Sequence, residues 1–164
     1  MRISDNGIAL IKAHEGLRLH AYDDLRPHGV LTQASHIEGT VTIGYGHTKT
    51  AEVGMVISRG EAELLLRDDV RHFETGLNKL IAECKVESLG QHQYDALISF
   101  AYNVGLNALV DSTLWAKLLQ GRYSEAAEEF LRWRYSKGRE LPGLVKRRMD
   151  ERSMFLGFKP ERTT

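Results

Sequence analysis

Apolar residues recur at helical spacing along most of this chain, and the pattern breaks in one region. Ile8, Leu10 and Ile11 give residues 5–15 one apolar face, with Ser4 or Asp5 placed to cap the start. Gly16 favours a helix end beside Glu15, which would set that carboxyl at an edge rather than in mid-core. Residues 17–48 then mix short β-branched and aromatic runs with Gly, Pro and Asp. Segments 17–22, 30–32 and 40–45 predict strands of a small antiparallel sheet. This region is too small to bury a core of its own and must lean on helices.

From residue 58 the pattern predicts helix to the end. Ser58 and Glu61 have capping-box spacing, and Ser88 with Gln91 repeats it. Ala62, Leu66, Val70, Phe73, Leu77 and Leu80 continue one long helix, long enough to act as a strut. Ala96, Leu97, Phe100, Ala101 and Val104 form a strongly apolar helix stopped by Gly105. Further helices are expected over 112–120, 124–135 and 143–156, punctuated by Gly121, Gly138 and Gly157. The tail after Lys159 is polar and expected to fray. Trp115 and Trp133 read as core.

Composition narrows the class. The chain has 164 residues, enough for one domain with a real core. Lys and Arg equal Asp and Glu at 22 each, so nothing favours nucleic acid, which calls for a basic face. No apolar run approaches the ~20 residues that span a bilayer, and the first residues lack a signal-peptide pattern. The expectation is a monomer made in the cytoplasm without stable membrane insertion. Cys84 is the only cysteine, which rules out an intrachain disulfide and reads as a small packing residue. The seven histidines show no HxxxH or HExxH spacing, so no metal and no cofactor is expected.

Candidate chemistry sits where the helical pattern breaks. Glu15 ends an apolar helix, the acidic pair Asp23 and Asp24 follows, and Thr42 precedes Ile43-Gly44-Tyr45-Gly46-His47. These are the parts needed to break a glycosidic bond: one carboxyl held protonated, and a second group holding water on the opposite face. Each residue also has a plainer reading. Glu15 can be a surface carboxylate, Asp23 and Asp24 turn residues, and Thr42 a β-branched strand residue. Tyr45 and His47 either line a cleft or buttress it. Asn103 offers amide donors and an acceptor to a sugar, or else satisfies a helix end. Tyr102 is core or cleft wall. Arg147 and Arg148 meet Glu15 or substrate carboxylates, or form a basic face with Glu151.

Four collinear segments carry a family resemblance. They are His14-Glu15-Gly16-Leu17-Arg18-Leu19-His20-Ala21-Tyr22, Thr42 to Thr48, Gln93 to Gly105, and Gly143-Leu144-Val145-Lys146-Arg147-Arg148 with Glu151. Together they resemble phage-type lysozymes, the endolysins of glycoside hydrolase family 24, over nearly the whole chain. The resemblance implies an α+β, lysozyme-like two-lobe fold with a cleft between the lobes. A small antiparallel sheet lobe would span about 16–56. A larger helical lobe would span about 58–157 with the N-terminal helix, all in one lysozyme domain. It implies hydrolysis of the β-1,4 bond between N-acetylmuramic acid and N-acetylglucosamine in bacterial peptidoglycan, with action on the cell wall after release. Glu15, Asp24 and Thr42 match the family's catalytic set. Asn103, Tyr45, His47, Tyr102 and Arg147 are the expected substrate contacts. Residues 25–41 are longer than the family's usual loop and read as an extended hairpin on the cleft rim. A lytic transglycosylase on the same bond, or a non-catalytic wall-binding protein, are the alternatives.

Overall fold

The first helix, α1 (Asp5–Glu15), begins where the sequence places it. The Ser4 hydroxyl accepts the Gly7 amide, and Gly16 turns the chain out with φ +69°. The structure, a computed structural model, describes residues 1–158. It divides into two compact units, Glu15–Arg71 and Met1–His14 joined with the chain from His72 onward.

The first unit is built on two antiparallel strands, β1 (Arg18–Asp23) and β2 (Val41–Gly44). Tyr22 lies opposite Thr42, and Asp23 opposite Val41. The other edge of β1 is paired too: the Ala21 amide donates to Met55 and the Ile57 amide to Leu19, at 3.0 and 2.9 Å. Side chains alternate, so Ala21 and Asp23 turn inward while Arg18 and His20 stay exposed. Ile43, Ile57, Ala62 and Leu66 complete the unit's core. Ala62 and Leu66 belong to α2 (Arg59–Glu83), a 25-residue helix whose residues contribute to both units. Its capping box is reciprocal: Ser58 Oγ accepts the Glu61 amide and Glu61 Oε2 accepts the Ser58 amide.

The expected strand at 30–32 does not form. Val30 is 90% exposed, so its β-branched side chain has no sheet to pack on. Residues 24–40 hold turns and one isolated Asp23–Arg26 bridge instead of an extended hairpin.

The second unit is helical: the rest of α2, then α3 (Gln91–Val104), α4 (Leu106–Val110), α5 (Thr113–Leu119), α6 (Tyr123–Glu129), a 3₁₀ turn Phe130–Arg132, and α7 (Pro142–Phe155). Phe100 is its aromatic centre, meeting Phe130 and Trp133 edge to face at 5.4 and 5.3 Å. Phe130 in turn meets Phe155. Asp95 on α3 ties down the start of the chain, accepting from the Ser4 amide and hydroxyl and from Gln91.

Three expectations change here. The chain is not helical throughout after residue 58, because β3 (Tyr135–Ser136) and β4 (Arg139–Glu140) pair antiparallel. Lys137 and Gly138 between them both have positive φ, 50° and 76°, the turn geometry that closes a two-residue hairpin. The cap before α3 is Gly90 rather than Ser88: its amide donates to Gln93 Oε1. Cys84 is exposed rather than packed. No helix among the described residues is long and apolar enough to cross a membrane.

Candidate active site

The register of β1 and β2 does the assembling. Tyr22 and Thr42 are cross-strand partners, and the next pairing beyond Asp23 and Val41 joins Asp24 to Thr40. The Asp24 amide donates to the Thr40 carbonyl at 3.1 Å, and Asp24 Oδ1 accepts the Thr40 amide at 2.7 Å. The Thr42 hydroxyl is nearly buried and donates to the same Thr40 carbonyl at 3.0 Å. Its proton committed, Thr42 Oγ1 keeps lone pairs with which to accept from a water.

Glu15 reaches this neighbourhood from the last turn of α1 and is half-buried. The Tyr22 hydroxyl registers both carboxylates. Burial pushes its pKa up, Arg18 opposes that, and the charges of Asp24 and Glu15 each add to the rise. Glu15 and Asp24 thus lie within electrostatic reach of the Tyr22 side chain, whose partner on β2 is Thr42.

Asp23 and Asp24 are adjacent and opposite in kind. Asp24 is exposed, whereas Asp23 is fully buried and accepts three backbone amides: Leu25 at 3.0 Å, Glu38 at 2.7 Å and Gly39 at 2.9 Å. These bonds, led by that from Glu38, hold its pKa below the usual carboxylate range. Asp23 thus gathers both ends of the 24–40 segment, and Arg26 pairs with Glu38 across it. Gly39 is required there, since a Cβ would fall 2.0 Å from Asp24 Oδ1 and 2.7 Å from Asp23 Oδ1.

A phage lysozyme family model matches residues 12–151 of the chain. The chain belongs to the phage lysozyme family. It is 49% identical to an endolysin of Bacillus phage B103 over 95% of its own length and 54% of that protein. It thus spans about half the length of that curated relative. An endolysin of Salmonella phage P22 is 36% identical and is covered almost whole, 95% of this chain against 99% of that one. Among solved structures, an endolysin from Escherichia coli O157:H7 phage FAHEc1 superposes with a TM-score of 0.80 at 34% identity, over 98% of each chain. The chain shares its α+β, lysozyme-like fold with that solved endolysin.

The remaining residues expected at the lysozyme site fall into two groups. His47 is buried, with Nδ1 on Asp69 Oδ2 at 2.7 Å and Nε2 on Thr50 Oγ1 at 2.8 Å. Both ring nitrogens being engaged, the side chain buttresses the fold and has no polar atom to offer a sugar. Tyr45 is likewise buried. In the helical unit, Tyr102 packs its ring at 5.4 Å from Phe73. Arg147 is buried with Nε on Glu151 at 3.1 Å and a terminal nitrogen on the Ser99 carbonyl at 3.0 Å. Arg148 donates to Glu151, to the Trp133 carbonyl and to Asn103 Oδ1. Because a guanidinium only donates, that last contact fixes which end of the Asn103 amide faces Arg148, and directs Nδ2 the other way. Asn103 is exposed, so Nδ2 is presented as a donor.

Sequence reasoning passed over Tyr22 and gave Asp23 no role beyond that of a turn residue. Tyr22 had a signal, lying at even spacing from Asp24 on the strand that Thr42 must pair with. Asp23 had none, because an aspartate that gathers a loop reads like any turn residue until the loop's amides are seen.

Proposed function

We propose that this chain is a muramidase that hydrolyses the β-1,4 bond between N-acetylmuramic acid and N-acetylglucosamine in bacterial peptidoglycan, as a single lysozyme domain. The reading is supported by the β1–β2 register, which sets Thr42 opposite Tyr22, and by the hydrogen bond that holds Asp24 Oδ1 on the Thr40 amide, with Glu15 and Asp24 both within electrostatic reach of Tyr22. Glu15 donates its proton to the glycosidic oxygen as the bond breaks. The Thr42 hydroxyl accepts from a water on the opposite face. Asp24, with Oδ1 held by the Thr40 amide, takes that water's proton through its other oxygen. A water between the two carboxyls implies inversion at the anomeric carbon.

The test is turbidity clearing of purified peptidoglycan by the parent and by Glu15→Gln, with muropeptides read by mass spectrometry. The parent should clear the suspension and leave reducing-end muramic acid. Glu15→Gln, folded by circular dichroism, should lose about 10²–10⁴ in rate. Anhydro ends would move the assignment to a lytic transglycosylase. A folded parent that clears nothing would reject the reading.

A further inference from the structure

Thr40 is a backbone hub. Its amide donates to Asp24 Oδ1 at 2.7 Å, and its carbonyl accepts from the Thr42 hydroxyl at 3.0 Å and from the Asp24 amide at 3.1 Å. Asp24 and Thr42, the two groups that would hold the attacking water, thus take their positions from the peptide groups of one residue. Whatever fixes Thr40 fixes Asp24 Oδ1 and Thr42 Oγ1 together.

Thr40 closes a segment that has no apolar anchor. None of residues 24–40 is buried, and Leu25 and Val30 are largely exposed. Closing such a loop costs entropy that little apolar burial offsets. Polar ties must hold it. The Arg26–Glu38 pair is exposed, and exposed pairs contribute little. Asp23 is the buried tie. Its Oδ1 accepts the Leu25 and Gly39 amides and its Oδ2 the Glu38 amide, so one carboxylate grips the entry and the exit of the segment. The amides of Glu38, Gly39 and Thr40 therefore run in succession onto Asp23 Oδ2, Asp23 Oδ1 and Asp24 Oδ1. Gly39, in the middle, lets the backbone come this close, because a Cβ there would strike both carboxylates.

We propose that Asp23, acting through the amides of residues 38 and 39, is the positioning residue that sets Asp24 and Thr42 for the attacking water, a role that rests on the muramidase reading. Asp23 itself touches neither water nor sugar. Displacing Asp24 and Thr42 slows the attack of water and leaves the sugar contacts in place, so the effect falls on kcat and not on KM.

Two variants test this by different routes. Asp23→Asn keeps the side chain's shape but sets a weaker acceptor against three donors. Gly39→Ala crowds the same oxygens without changing charge. On solubilised glycan chains, well below every variant's melting temperature, each should lose about 10–100-fold in kcat with KM retained. Val30→Ser, far out on the exposed loop, should keep both constants. In the isotope-labelled chain, the Thr40 amide proton should move upfield in Asp24→Asn, which identifies its bond, and also in Asp23→Asn and Gly39→Ala. The amides of Ile43 and His47, which bond each other's carbonyls, should stay in place and report an intact sheet. A folded parent that clears nothing rejects the muramidase reading and this role with it. An active parent whose Asp23→Asn and Gly39→Ala variants keep its kcat and its Thr40 shift, even if they melt lower, overturns the positioning role alone. A raised KM with kcat intact overturns it as well.

Discussion

What donates to a carboxylate decides what it can do, and Asp23 and Asp24 show this in consecutive residues. Three amides hold Asp23 and lower its pKa; one amide holds Asp24 and leaves an oxygen for chemistry. Folding makes Asp23 release a proton that the unfolded chain would keep. Its contribution to stability is therefore full above the unfolded value of about 3.9 and disappears as pH falls through the lower native value. Asp23→Asn should melt below the parent at pH 7. The gap should close in acid, as thermal scans at pH 7 and pH 2.5 would show. A constant gap would mean that geometry rather than charge holds the loop. The buried pair of His47 and Asp69 makes a second residue-scale case. Asp69→Ala strips a buried imidazole of its partner and should cost about 1–3 kcal/mol in urea unfolding.

At the scale of elements, the sequence was most readable where periodicity and caps agreed. α1 and α2 begin at capping residues and continue an apolar stripe, so their extents follow from residues a few positions apart. The β3–β4 hairpin was unreadable for the opposite reason. All four of its strand residues are exposed and none alternates with an apolar neighbour; its turn depends on the backbone at Lys137 and Gly138. Val30 misled because β-branching is a preference for a half-buried pleat, and no pleat reaches it. Glu15, the Asp23–Asp24 pair and Thr42 stood out as candidate chemistry from residue type alone, and the family pattern selected Asp24 from the pair. The pairing of Tyr22 with Thr42 depends on strand register, which no local spacing specifies. Close packing between elements yields one further expectation. A Cβ at Gly7 would sit 2.5 Å from Ile3 and 2.9 Å from the Cβ of Asp95. Gly7→Ala gains about 1 kcal/mol in helix propensity but should lose about 1–3 kcal/mol to overpacking. A lowered melting temperature with unchanged activity is the expected result.

Charge belongs to the molecule as a whole. The chain is formally neutral, yet residues 15–71 carry nine acidic against six basic side chains, and the rest balances them with the reverse excess. Neutral overall and polarised within, the protein should be least soluble near its pI of about 7.1. Light scattering at fixed concentration should peak near pH 7 in low salt and fall on adding salt, which screens attraction between oppositely charged units of neighbouring molecules. A scattering profile flat from pH 5 to 9 would contradict that.

Cys84 has a practical consequence. The chain's sole thiol is exposed just past the last residue of α2, the helix shared by both compact units. The natural sequence therefore accepts a single maleimide dye or spin label at a known point without mutagenesis. Paired with one engineered cysteine in the sheet unit, that label would let energy transfer follow the distance between the units as wall fragments are added.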